Sequence, residues 1–187
     1  MDTVATPKNK IHPHKFTLWV AIASMIMMFA GLTSAYIVKG SLPGWTPIIL
    51  PKLFYFSTFV ILISSVTIQL SVKYFKDRQR NKYQNFLIIS FLLGTLFLVL
   101  QWISFTQLYE QGIKMEGAGP GQFLYIIFGL HGLHIVGGMI ALVVMLLKAF
   151  SAKVKTYSPV SIEILATYWH FVDFLWLYLF VFFLLKF

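Results

Sequence analysis

Apolar residues run almost unbroken through five stretches of the chain, residues 16–38, 53–72, 83–109, 121–147 and 161–185. Between them lie short segments rich in charge, glycine and proline. Each run reaches the roughly 20 residues that an α-helix needs to cross a hydrocarbon core about 30 Å thick. No water is available there to satisfy backbone N–H and C=O groups, so each run must close its hydrogen bonds within itself, as a helix does. The pattern predicts an all-α integral membrane protein, a five-transmembrane-helix bundle. Residues 1–15, which include Lys8, Lys10, His12, His14 and Lys15, are expected to form a polar tail. Residues 16–187 are expected to form a single transmembrane domain. A cleaved signal peptide is not expected, because the first apolar run exceeds a typical signal h-region.

The polar residues inside these runs carry the chemistry. In the last run, Glu163, Thr167, His170 and Asp173 recur at steps of three and four, which places them on one helix face. An ionisable group near the middle of a spanning helix costs at least about 2.5–3.5 kcal/mol on insertion scales, so it needs a partner or a purpose. One helix earlier, His131, His134, Gly138 and Ala141 share a face that is half polar and half small, suited to close helix contact. Consecutive spans are antiparallel, and the His pair and Asp173 fall near the centres of their runs. They are therefore expected to meet at the midplane, within an intramembrane polar set of His131, His134, Glu163, His170 and Asp173 in which Glu163 lies toward the basic end, about 15 Å along the helix from Asp173. The second run carries Ser57, Thr58, Ser64, Ser65, Thr67 and Gln69, which are read as hydrogen bonds within the bundle.

Composition narrows the function classes. The chain is 58% hydrophobic and 11% charged, against about 25% charged in soluble domains. Cysteine is absent, which excludes disulfides, thiolate metal sites, iron–sulfur clusters and the cysteine ligands of a dinuclear copper centre. The net charge of +9 does not point to nucleic acid, because the basic residues sit between apolar runs. Eleven of the 15 Lys and Arg lie in the N-terminal tail and in the loops after the second and fourth runs. The positive-inside rule then places the N-terminus in the cytoplasm and the C-terminus outside, on the periplasmic side. Lys73, Arg78, Arg80 and Lys148 on that basic side are candidate contacts for anionic phospholipid.

Three histidines near mid-membrane admit three readings: a hydrogen-bonded structural cluster, a proton-conducting row, or ligation of haem or zinc. Ligation is poorly served. His131 and His134 lie on one helix with only His170 opposite, and zinc would need Asp173 or water as a fourth ligand. Two function classes follow: a non-catalytic subunit of a larger membrane enzyme, or a stand-alone proton-coupled carrier. Carriers often show paired halves with interrupted helices at matching positions, and this sequence has no visible duplication.

The segment Tyr168-Trp169-His170-Phe171-Val172-Asp173 with Trp176, preceded by Glu163, resembles the final helix of subunit III of the haem–copper respiratory oxidases. His131-Gly132-Leu133-His134 followed by Gly138 resembles the penultimate helix of that family. Leu93-Gly94 with Phe97 and Gln101, and Ala23-Ser24 through Phe29 to Ala35-Tyr36, are similar to two earlier ones. The likeness spans residues 15–185 and corresponds to a short form lacking the first two of seven helices. Losing two helices preserves orientation parity, in agreement with the charge count. Two positions depart from the family pattern: Met25 and Ser104 stand where many members carry Glu. Roles assigned to those carboxylates do not carry over.

The resemblance implies a non-catalytic subunit with no cofactor of its own, in a bacterial inner membrane. Haem and copper are expected in partner subunits, with oxidase subunits I and II as partners in a membrane-embedded hetero-oligomer. It also implies phospholipid binding and support of proton uptake during oxygen reduction in an aa3-type cytochrome c oxidase. A quinol oxidase and a nitric-oxide-reductase-associated relative are the alternatives within the family.

Overall fold

The computed structural model describes residues 13–40, 51–113, 120–151 and 159–185. Five helices make up almost all of them: α1 (Pro13–Gly40), α2 (Leu53–Lys76), α3 (Arg80–Glu110), α4 (Pro120–Phe150) and α5 (Val160–Leu185). All five are long and apolar enough to cross a membrane. They also run beyond the apolar stretches. α1 begins at Pro13 and takes in His14 and Lys15, two residues expected in the tail, while α2 continues to Lys76 and α3 starts at Arg80. Lys and Arg are good helix formers. Their long stems keep the charge in the headgroup zone while the backbone stays helical. Trp45, Lys153, Lys155 and Glu116, with the tail up to residue 12, lie outside the described residues.

Burial follows a step of 3.5 residues, which is the signature of helices packed at a shallow left-handed angle. On α3 the buried positions include Tyr83, Leu87, Ser90, Gly94, Phe97, Gln101, Ser104 and Leu108, in alternating steps of four and three. On α5, Ile162, Trp169, Trp176 and Phe183 lie one heptad apart. Helices α2, α3, α4 and α5 close a ring in that order. α1 lies against α4 and α5 and does not approach the backbone of α2 or α3.

Two tryptophans of α5 fill the ring. The Trp176 indole lies with its centroid 5.1 Å from Phe97, 5.3 Å from Phe128 and 6.0 Å from Phe54. Trp169 occupies a slot between two glycines. A Cβ on Gly94 of α3 would meet the Trp169 Cη2 at 2.9 Å, and one on Gly138 of α4 would meet its Cε3 at 3.1 Å. Both indoles donate to α2, Trp169 Nε1 to Ser64 Oγ at 3.1 Å and Trp176 Nε1 to Thr58 Oγ1 at 3.0 Å. One helix is thereby tied to the other three of the ring.

The α2–α3 and α3 termini use the same cap. After α2, Arg78 N donates to Phe75 O and Gln79 N to Tyr74 O; after α3, Gly112 N donates to Tyr109 O and Ile113 N to Leu108 O. These are Schellman motifs, which require a left-handed residue. Gly112 takes that place at φ 85° and Arg78 takes it at φ 54°. The last turn of α4 is capped from α3, since Arg80 Nη2 and Gln84 Nε2 both donate to Ala149 O, at 3.2 and 2.7 Å.

Candidate functional site

The polar residues fall into three separate places. The first is the end of the bundle where α1, α3 and α5 begin and α2 and α4 finish. There Glu163 bridges two helices: its Oε2 accepts from Lys15 Nζ and its Oε1 from Lys76 Nζ, each at 2.8 Å. The Glu163 side chain is one-quarter exposed, and exposed pairs of this kind contribute at most about 1 kcal/mol each. Their consequence is geometric, because α1 and α2 are drawn toward α5 by one carboxylate. Lys73, Arg78, Arg80, Lys82 and Lys148 are exposed at this same end. Lys82 Nζ sits 5.2 Å over the Tyr74 ring.

The second place is the α2–α5 seam. His170 is held between Ser65 Oγ, 2.6 Å from its Nδ1, and Gln69 Oε1, 3.0 Å from its Nε2. With the amide oxygen toward the ring, a neutral His170 donates from Nε2 and accepts the Ser65 hydroxyl at Nδ1. Asp173 is one turn further and buried, and its Oδ2 has no hydrogen-bond partner among the described residues. The remaining polar groups of α2 serve the bundle. Gln101 Nε2 donates to Ser57 Oγ at 3.0 Å, and Thr67 and Ser90 share a hydroxyl hydrogen bond at 2.8 Å.

The third place lies among α1, α4 and α5. His131 is 1% exposed, stacked at 5.3 Å and 29° on Trp176 and edge-on to Phe29 at 6.4 Å. Neither of its ring nitrogens has a hydrogen-bond partner among the described residues. His134 is half-buried, donates from Nδ1 to Leu130 O at 2.7 Å, and lies 5.8 Å from Phe29.

This arrangement corrects the expectation of one midplane cluster. His131 and His134 do not pair with Asp173: the first is packed among aromatic rings with neither nitrogen bonded among the described residues, and the second is committed to its own helix. The α5 row of Thr167, His170 and Asp173 does share a face, but His170 is bonded to α2 instead of α4. Glu163 lies at the charged end, where its position early in α5 had placed it. α4 and α5 are joined instead by the Tyr168 hydroxyl, which donates to His134 O at 2.9 Å. Ser65 and Gln69 are the partners that sequence reasoning did not connect to His170. Their signal was an i, i+4 pair on one face of the second run.

Among the described residues, no three or more His, Cys, Asp or Glu side chains lie together so as to hold a metal ion. The positions where the resemblance led one to expect carboxylates are both buried: Met25 is 8% exposed and Ser104 donates to Leu100 O at 2.8 Å. At the charged end, α1, α4 and α5 enclose an open groove of about 950 Å³ lined by Thr17, Ala21, Gly137, Ala141, Ile164 and Tyr168.

Comparison with known proteins gives these features a family. A model of cytochrome c oxidase subunit III matches residues 11–186. "Probable cytochrome c oxidase subunit 3" of Nocardia farcinica is 30% identical over 164 residues, covering 85% of this chain and 81% of that protein. Its counterpart in Mycobacterium bovis is 30% identical over 166 residues, covering 86% and 82%. "Probable quinol oxidase subunit 3" of Staphylococcus haemolyticus is 23% identical over 184 residues, covering 96% and 92%. With five helices able to span a membrane and this match over nearly its whole length, the chain is an integral bacterial membrane protein that belongs to the cytochrome c oxidase subunit III family, a subunit of the multi-subunit haem–copper oxidases.

Proposed function

We propose that this chain is the non-catalytic subunit III of a terminal cytochrome c oxidase, set beside catalytic subunit I and subunit II in the inner membrane. It carries no haem or copper itself, and its basic end faces the cytoplasm, binds anionic phospholipid and supports proton uptake during oxygen reduction. The observation that carries this reading is the gathering of cations at one end. Lys15, Lys73, Lys76, Arg78, Arg80, Lys82 and Lys148 stand there around the single carboxylate of Glu163 and that of Asp77, while Lys39 and Lys52 belong to the other end. Such an excess of positive charge favours the cytoplasmic side and attracts anionic headgroups at about 1 kcal/mol per cation. The groove among α1, α4 and α5 opens at this end and offers apolar walls to an acyl chain.

Cytochrome c is the electron donor favoured here because the relatives named for it are 30% identical, against 23% for those named quinol oxidase. The quinol reading is supported by coverage, which rises to 96% of this chain in that comparison. Reduction of the purified complex by cytochrome c or by a quinol distinguishes them. The supporting role is tested by oxygen consumption over time, with and without this subunit, at two pH values. A depleted complex is expected to start at a fair rate, keep its haem spectrum, and inactivate faster during turnover, most clearly at high pH. Glu163→Gln is expected to give a milder version. A depleted complex that is inactive from its first turnover, or as durable as the intact one, contradicts the role.

A further inference from the structure

The membrane-facing surface of the bundle is largely apolar, and the exposed threonine hydroxyls of α3 are satisfied locally. Thr95 and Thr106 on α3 each donate to the carbonyl one turn back, Phe91 O at 2.9 Å and Trp102 O at 3.0 Å. Gln69 breaks this rule. It is exposed on α2, seven residues before Lys76, and its one hydrogen bond is to His170, which lies seven residues after Glu163 on α5. At 1.5 Å per residue, both sit about 10 Å beneath the layer where Lys76 and Glu163 pair. That depth is inside the hydrocarbon.

A carboxamide has two ends. His170 occupies one of them, and the other finds no partner among the described residues. Turning the amide over only exchanges which end is unpaired. Lipid tails offer neither a donor nor an acceptor, so this arrangement is unfavourable against lipid and favours another protein group in its place. The surroundings suit such a contact. Leu62 and Val66 on α2 and Phe174 on α5 are 44%, 59% and 69% exposed. They make an exposed apolar surface on the deep side of Gln69, of the kind that packs against another helix.

We propose that this α2–α5 face, centred on Gln69 and His170, is where the chain docks on a transmembrane helix of a neighbouring subunit of its oxidase. The partner helix sets a hydroxyl, amide or backbone carbonyl against the free end of the Gln69 amide. The proposal rests on the reading of the chain as an oxidase subunit.

The test uses the intact complex in its native membranes. A photo-crosslinking amino acid is placed singly at Val66 and Phe174 on this face, at Trp102 on α3, 77% exposed, and at Met27 on α1, 70% exposed. Protein adducts with another oxidase subunit are expected from Val66 and Phe174. In parallel, Gln69→Leu is expected to lower the amount of chain retained with the complex in mild detergent roughly threefold, the size of an average interhelical hydrogen bond in a membrane. Thr95→Leu is expected to change nothing. Adducts from Val66 and Phe174 with lipid alone, while Trp102 or Met27 reaches a subunit, would overturn the docking face and leave the subunit reading standing. Water-accessible labelling of Gln69→Cys in the intact complex would overturn it in favour of a wet seam. A chain that copurifies with no oxidase subunit overturns both.

Discussion

Replacing Gly94 by Ala is the sharpest probe of how the bundle is held together. The new Cβ would fall 2.7 Å from Met139 Sδ, 2.9 Å from Trp169 Cη2 and 3.1 Å from Trp169 Cζ2. Methionine can bend away, but the indole cannot. Its Nε1 is held by Ser64 at 3.1 Å, and its far side lies so close to Gly138 that a Cβ there would stand 3.1 Å away. Relief therefore requires α3 and α5 to separate or the indole hydrogen bond to break. Gly129 provides the control, because a Cβ there meets nothing within 4 Å. Both changes gain the same intrinsic helix propensity, about 1 kcal/mol, so propensity cancels in the comparison. What remains is the overpacking cost, about 1–3 kcal/mol, or several degrees in a chain of this size. Thermal unfolding of the two variants in the same detergent reads this difference directly. Equal midpoints, or a lower one for Gly129→Ala, would refute the slot described for Trp169.

Further outcomes follow from the same geometry. Asp173→Asn keeps the volume and removes a carboxylate whose Oδ2 is unpartnered, so stability is expected to change by less than about 1 kcal/mol. His170→Leu strips Ser65 and Gln69 of their partner and is expected to cost about 1–3 kcal/mol; the reverse order in thermal unfolding would show that Asp173 is the paired group. Arg78→Gly relieves a left-handed residue, a strain of about 1–2 kcal/mol offset in part by unfolded-chain entropy, so a gain of about 0.5–1 kcal/mol is expected; a lower unfolding midpoint would contradict the cap. The chain has no cysteine, so single cysteines at Asp77 and Gln111 report topology cleanly. An impermeant thiol reagent added to intact cells is expected to label only the second, and labelling of the first from outside would invert the orientation.

The five spans were legible because hydrophobic length decides them. What periodicity supplies is a face on a helix. It does not say which neighbour that face meets. The row of Thr167, His170 and Asp173 was legible in this sense, yet α5 has three neighbours, and the row met α2 where a meeting with α4 had been expected. His131 shows the same limit: its face was marked, but Phe29 and Trp176 received it. Glu163 was the most recoverable of the five. Span parity puts Lys15 and Lys76 at its own end, and a carboxylate among so many cations finds them. The roles of Trp169 and Trp176 needed coordinates, since a tryptophan in a spanning run is equally compatible with the interface and the core.

Affinity purification of this chain from its native membranes in mild detergent, with an absorption spectrum of the eluate, tests the central claim most directly. The account expects two larger membrane subunits to come with it and the eluate to show the haem bands of a terminal oxidase. The chain separated from them afterwards is expected to show no Soret absorption. A chain that elutes alone and colourless, or that keeps a haem band after separation and loses it in His134→Ala, would contradict the account.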